Sequence, residues 1–398
     1  MNPSTATPTH DTRHTLTRGL VLLFALCCGA IVANIYYAQP IVELIAPDVG
    51  LSAHSASLIV SLTQVGYALG LLFLVPLADL LENRTLMIGT ALVACASLLV
   101  AAFSEHANTF LMISLLIGFS SVSVQMLVPL AAHLAPEETR GQVVGNIMGG
   151  LLLGILLARP LSSLIADHFG WRAVFMSASG VMLAIILVLA LTIPKRTPEH
   201  RSSYGQLLGS LLTLLRKHPV LRQRALYQGL LFAAFSLFWT AAPIELSRHF
   251  GLSQSQIALF ALVGAIGAIA APVAGRLADA GHTRRASLVA LSLAPAAFLI
   301  GLSQPGFSVI GLAITGVLLD FAVQLNMVLG QRAVYALDPA SRGRLNALYM
   351  TSIFMGGAIG SALASTLYEQ QGWHGVVLLG AGLPLLALVA FVVADRSR

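Results

Sequence analysis

Asp320, in the stretch "ITGVLLDFAVQLN" spanning 314–326, is a lone carboxylate in a run otherwise fit for lipid. An aspartate near the centre of a membrane helix costs about 2.5 to 3.5 kcal/mol on insertion scales. Its helical neighbours resolve the conflict. Ala313, Gly316, Asp320, Gln324, Met327 and Gln331 follow at three- and four-residue steps as a small, polar stripe, while Ile314, Leu318, Phe321, Leu325 and Val328 form the apolar one. Asp320 is therefore expected to face protein or water. Burial favours the uncharged acid over the carboxylate, the property required of a group that takes a proton from one side and releases it to the other. The structural alternative is a permanently protonated acid bonded to Gln324 or to a neighbouring helix.

A second charge, Arg159 in "GILLARPLSS", also lies within an apolar run. It sits about 18 residues along its helix, about 27 Å in at 1.5 Å per residue. At that depth it can snorkel or pair with Glu43 or Asp48, or it can take part in transport with Asp320 as a proton-coupling group. Further polar and aromatic groups deep in apolar runs are candidates for binding a substrate, because each is costly unless paired. They are Asn34, Tyr37 and Gln39; Gln64 and Tyr67; Gln125; Gln228 and Trp239; Gln324 and Asn326. Phe235, Phe238 and Trp239 recur at helical spacing, as core packing or as an apolar wall for an organic molecule.

The elements that must position these groups are membrane helices. The chain of 398 residues is 57% hydrophobic and 10% charged, against about 25% charged residues in ordinary soluble domains. Apolar runs long enough to cross a bilayer recur near 19–40, 54–78, 85–103, 109–132, 141–165, 173–193, 224–246, 256–279, 285–302, 307–335, 343–367 and 374–393. Alternating β-barrel periodicity is absent, which leaves helices, and the expected fold is all-α with twelve transmembrane helices. The first run ends in "VANIYYAQP", whose tyrosines do not suit a signal-peptidase site, so it is expected to stay as an anchored span. Cys27, Cys28 and Cys95 lie inside spans and imply neither a disulfide framework nor a metal site.

Basic residues set the orientation, because loops on the cytoplasmic side retain Lys and Arg. With both termini cytoplasmic, 19 of the 22 Lys and Arg residues fall on that side, and only Arg172 and Arg248 fall in outer loops. The net charge of +6 is thus a topology signal, scattered over short loops, and a nucleic-acid partner is not expected.

Short strings return about 200 positions apart. "GLS" at Gly50 returns at Gly251, "LAD" ending at Asp79 returns ending at Asp279, Arg84 is answered by Arg284, "RG" at Arg140 returns at Arg342, and "GW" at Gly170 returns at Gly372. This predicts two pseudo-symmetric six-helix halves, 19–193 and 223–394, with cytoplasmic tails at 1–18 and 395–398. Between the halves, 194–222 reads as a cytoplasmic linker. Leu207, Leu208, Leu211, Leu214 and Leu215 recur there at the spacing of an amphipathic helix that Pro219 stops. Parallel repeats of this kind place a substrate site between the halves near the midplane.

Twelve spans, the duplication and the paired "LAD" plus arginine loops resemble the major facilitator superfamily, over nearly the whole chain. "GRLADAGHTRR", from Gly275 to Arg285, keeps the family loop's glycine, aspartate and arginines, with Ala280 where arginine is usual. "VPLADLLENR" keeps Asp79 and Arg84 and has Val75 for the glycine. The resemblance implies a cytoplasmic latch of Asp79 and Arg84, echoed by Asp279 and Arg284, that holds an outward-facing state. "GNIMGGLLLGILLARPLSS" is similar to the fifth-span signature of drug and proton antiporters, with Ala158, Arg159, Ser162 and Ser163 at later motif positions. Gly145, Gly149, Gly150 and Gly154 give it a small-residue face, as do Gly356, Gly357 and Gly360 in the eleventh span. Ser114 stands where many proton-coupled members carry a fourth-span arginine. "ANIYYAQP", "LLDFAVQ" and "SRGRLNALYMTSIFMGGAIGSALAS" resemble a bacterial subgroup of drug-efflux-like inner-membrane carriers.

The resulting expectation is a monomeric secondary carrier of the bacterial inner membrane. It exports a small organic molecule, drug-like or a metabolite, by proton antiport with alternating access. An uptake symporter or facilitator and a non-transporting membrane sensor are the alternatives. No enzyme is expected, since phosphate loops, metal-ligand clusters and Ser-His-Asp arrangements are missing, and no cofactor or metal is implied. His133, His168, His218, His249 and His282 fall at span ends or in loops, as solvated surface.

Overall fold

The structure is a computed structural model that describes residues 16–198, 203–300, 302 and 308–396. Most of the expected N-terminal tail, positions 199–202 of the linker and the last two residues of the C-terminal tail lie outside the described residues. Among the described residues every regular element is helical. The α-helices are α1 (Arg18–Ala33), α2 (Val42–Val49), α3 (Leu58–Phe73), α4 (Asn83–Ala102), α5 (Ala107–Ser120), α6 (Val124–Leu134), α7 (Arg140–Phe169) and α8 (Trp171–Thr192). After them come α9 (Tyr204–Lys217), α10 (Pro219–Arg248), α11 (Gln254–Ala261), α12 (Ala270–Asp279), α13 (Thr283–Ile300), α14 (Val309–Tyr335) and α15 (Arg342–Arg396).

Ten of the helical segments are long and apolar enough to cross a membrane. The last, α15, contains both of the final apolar runs and bends at Gly372, whose φ of 64° suits a residue without Cβ. The first expected span is interrupted. Helix α1 stops at Ala33, a short 3-10 turn covers Gln39–Ile41, and α2 follows as a separate helix that ends at Gly50 with φ 79°. Pro40 lies in the first turn of that segment, where a missing N–H is harmless. A second 3-10 stretch, Leu262–Ile269, separates α11 from α12.

The linker contains the amphipathic helix that its leucines predict. Helix α9 opens on a capping box between Ser203 and Gln206 and buries Leu207, Leu211 and Leu214. Pro219 then begins α10 directly after His218.

Packing gathers the helices into two groups. Helices α1, α3, α4, α5, α7 and α8 pack among themselves, as do α10, α12, α13, α14 and α15. Small residues set the closest approaches. A Cβ at Gly154 would lie 2.1 Å from the carbonyl oxygen of Gly29, and one at Gly150 would lie 2.4 Å from that of Ala25, so α1 and α7 touch backbone to backbone there. Gly145 and Gly149 face open space instead, so only half of that glycine face works as a seam. In the second group Gly356 and Gly360 approach the Gly229 and Ala233 carbonyls of α10 in the same way.

Between the groups, direct hydrogen bonds run from the end of the molecule carrying Glu43 to its middle. Ser57 and Ser365 bond backbone N–H to hydroxyl in both directions at 3.1 Å, Ser61 Oγ donates to the Ala358 carbonyl at 2.7 Å, and Ser255 bonds Asp167. At the end carrying Arg84 the bridge is α9. Tyr204 donates to the Phe73 carbonyl of one group at 2.8 Å, and Arg344 of the other donates to Ser210 at 2.8 Å.

Candidate functional site

At the middle of the seam, α7 from the first group presents Arg159, which is only 4% exposed. Its Nε donates to Gln39 Oε1 at 2.7 Å, and Gln39 Nε2 in turn donates to Thr240 of α10 at 3.1 Å. The interruption after α1 makes this possible, since the turn there delivers Gln39 and Tyr36 onto α7. The guanidinium carbon lies 5.1 Å from the Tyr36 ring centroid, 5.2 Å from Phe235 and 4.8 Å from Trp239. Cation–π contacts of this kind contribute about 0.5 to 2 kcal/mol each, more when desolvated. Arg159 Nη2 is buried without a hydrogen-bond partner.

Across the seam, α14 presents Asp320, 5% exposed, whose Oδ1 accepts from Trp239 Nε1 at 2.7 Å. The 3-10 stretch before α12 is cut away to admit it. A Cβ at Gly264 would sit 2.6 Å from Asp320 Oδ2, and one at Gly267 would sit 2.4 Å from the Asp320 Cβ. Trp239 thus touches both buried charges, with its ring face towards Arg159 and its N–H towards Asp320. Among the described residues, Arg159 and Asp320 do not themselves form an ion pair.

On α14 the expected stripe is buried at Gly316 and Asp320 and half-buried at Ala313, Met327 and Gln331, and Asp320 takes its hydrogen bond from Trp239 on a neighbouring helix rather than from Gln324. Gln324 is half-buried one turn on. The pairing of Arg159 with Glu43 or Asp48 does not form: Arg248 holds Glu43, and Asp48 accepts from Trp171 at 2.8 Å.

Around this centre the other candidates fall into three sets. Gln64 crosses the seam to donate to Ser236 at 3.0 Å, and Gly357 makes room for its amide. Tyr67 accepts from Gln125 at 3.1 Å and stands edge-on to Phe354 across the seam, 4.5 Å between centroids. The rest stay within their own groups. Asn326 donates to Gln228 at 2.7 Å, Gln228 to the Val323 carbonyl at 3.1 Å, and Asn34 to Ser121 at 3.4 Å; Tyr37 is half-buried, and its carbonyl accepts from Ser162.

Thr240, Ser236, Tyr36 and Gly264 join the site without having been singled out in the sequence. Only Gly264 carries a signal, as one of two glycines, with Gly267, in an apolar run where a missing side chain permits close approach.

The motif residues at the Arg84 end engage partners other than those across their own loops. Arg84 donates to the Ala190 carbonyl, Asp279 pairs with Arg332, and Arg284 pairs with Asp395. Asp79 is exposed and forms no ion pair among the described residues.

The chain is 42% identical over 382 residues to the uncharacterized transporter YgaY of Escherichia coli O157:H7, covering 95% of this chain and 96% of that one. In fold it is similar to the nucleoside transporter NupG, with a TM-score of 0.74 at 16% identity over 94% of this chain and 99% of that chain. It is also similar in fold to a D-xylose-proton symporter, with a TM-score of 0.72 at 17% identity over 93% and 96%. The family described as Major Facilitator Superfamily matches residues 22–333 and 224–398. With that coverage, the chain belongs to the Major Facilitator Superfamily of secondary transporters.

Proposed function

We propose that the protein is a proton-coupled exporter of a small organic molecule, working by alternating access as a monomer in a bacterial inner membrane. The observation that carries this reading is the Arg159–Trp239–Asp320 cluster, in which one helix group contributes the cation and the other the acid. Asp320 binds the proton, or a cationic group of the substrate that displaces it. The aromatic faces of Phe235 and Trp239 line the apolar side of the site. Twelve spans in two six-helix halves, 19–193 and 223–394, account for the two packing groups, with α15 supplying two spans and α1 with α2 supplying one. With both termini cytoplasmic the Glu43 end is the outer one, and the state described is sealed outwards. Asp79, Arg84, Asp279 and Arg284 are proposed to regroup into the latch when the cytoplasmic side closes.

Respiring everted vesicles test the direction. Substrate from a compound panel should accumulate in the lumen while the pH gradient collapses. Accumulation that requires the opposite gradient would assign uptake instead, and no gradient-dependent flux for any compound would leave a sensor. The free, buried Nη2 of Arg159 favours co-transport of an anionic group with the proton as the second reading.

The outer seal has its own test. Arg248 grips Glu43 through Nε and Nη2, both at 2.7 Å, and also Glu369, tying the two halves together at the surface. Arg248 is 38% exposed, so the pairs are screened, and exposed pairs contribute at most about 1 kcal/mol each, about fivefold in a population. In a background free of native cysteines, Arg248→Ala should speed labelling of a cysteine placed at the buried Ala56 by an impermeant maleimide by about that factor. Unchanged labelling would show that the serine contacts alone hold the seal.

A further inference from the structure

Trp239 contacts both buried charges from a recess shaped for its ring. A Cβ at Gly264 would come 3.1 Å from Trp239 Cζ2, and one at Gly316 would come 3.7 Å from the same atom. Phe238 meets the indole edge-on at 5.3 Å between centroids, and Phe260 lies tilted at 6.0 Å. The indole is 1% exposed. Both of its polar features are in use at once, the N–H on Asp320 at 2.7 Å and the face on Arg159 at 4.8 Å. A phenylalanine would fill much of the same volume with only one of the two contacts.

The consequence concerns the distance between Arg159 and Asp320. A carboxylate gripped directly by a guanidinium in a dry site is locked in its charged form and is a poor proton acceptor. We propose that Trp239 is a positioning residue for proton exchange: its ring keeps Arg159 and Asp320 from closing into an ion pair, and its N–H holds the carboxyl in a fixed orientation by a neutral donor. The inference rests on Asp320 being the coupling acid.

The charged and titratable groups around Asp320 are few. Arg159 comes from α7, with the Tyr36 phenol against it. The 3-10 stretch 262–269 and residues 286–300 of α13 contain none. On α10 the buried Glu245 accepts from Tyr368 at 2.6 Å and pairs with His249; Tyr349 of α15 donates to the Met327 carbonyl at 3.2 Å, and Asp279 of α12 is paired with Arg332.

The test uses the full chain in proteoliposomes, with a substrate found in the vesicle panel. W239F keeps the ring and loses the donor. The pH of half-maximal driven transport should rise by about one unit, the scale of one charge-assisted hydrogen bond, whatever change in maximal rate accompanies it. W239L removes the ring and lets the charges close; its profile should move the other way, and driven transport should fall about tenfold. Unshifted profiles in both variants overturn the proposal, and so do equal losses of counterflow and driven transport without a shift. If W239F fails to fold, Trp239 emission in a W171F/W373F background serves instead. A pH-dependent change abolished by D320N supports the role, and a pH-independent spectrum overturns it. Intact driven transport in D320N would overturn the parent reading, whereas an inactive D320N beside an unshifted W239F overturns this one alone.

Discussion

Asp320→Asn uncouples transport from the pH gradient: driven accumulation falls by about tenfold or more, the size expected when a coupling free energy of 1 to 3 kcal/mol is lost. Counterflow, which needs no net proton movement, continues within about twofold where Asp320 carries the proton alone, and falls with driven flux where the acid also holds a cationic group of the substrate. The split follows from geometry. The amide has the volume of the acid, and its oxygen can still accept the Trp239 N–H that Asp320 accepts at 2.7 Å. Arg159 keeps its bond to Gln39 and its three ring contacts. What disappears is a group that can change charge at a site 5% exposed. Asparagine brings no charge into the middle of the helix and keeps the hydrogen bond to Trp239, so expression and thermal stability should not fall. Parallel measurements of counterflow and of flux driven by an imposed gradient decide the matter. Undiminished driven flux in D320N would remove Asp320 from the coupling role.

Asp320 was legible because a helix has only one polar stripe on which to place it, and the neighbours on α14 define that stripe residue by residue. Arg159 was placed less well. Counting rise along α7 alone put it near the outer face, where Glu43 and Asp48 would answer it. Depth along one helix says nothing about what folds over it, and here the turn after α1 lays Tyr36 and Gln39 across the guanidinium while α10 closes the other side. That turn was itself hidden, because 19–40 is apolar enough to read as one continuous span. Hydroxyl residues were illegible for another reason. In a membrane helix a serine or threonine can satisfy itself on its own backbone, as Ser114 does on the Phe110 carbonyl at 2.8 Å and Thr63 on that of Ile59 at 2.9 Å. Nothing in the sequence distinguishes those from Ser236 or Thr240, which bond across the seam. The loop motifs announce charges that must find partners, but not which partners, since distant helix ends such as Arg332 and Asp395 compete for them.

Arg159→Leu should abolish both modes of transport, by about tenfold or more, and this sets it apart from D320N. Arg159 does more than balance a charge. It ties Gln39, and through it Thr240, to the centre of the seam, and it fills the space between Tyr36, Phe235 and Trp239. Leucine cannot reach Gln39, so a buried amide loses its partner at a cost of about 1 to 3 kcal/mol, and Asp320 loses its nearby cation. A buried carboxylate without compensation takes up a proton, which stops driven transport, while counterflow is lost because the seam contacts that Arg159 holds are gone. Arg159→Lys separates the two roles. It keeps the charge and loses the planar fork and the ring stacking, so it should retain weak driven transport where leucine retains none. Stability gives an independent reading through a double-mutant cycle. If the two charges sense each other through the indole, R159L lowers thermal stability, and adding D320N to it restores part of the loss, a coupling of about 0.5 to 3 kcal/mol. Strict additivity in the cycle, together with full transport by R159L, would show that Arg159 is a snorkelling residue that happens to lie beside the acid.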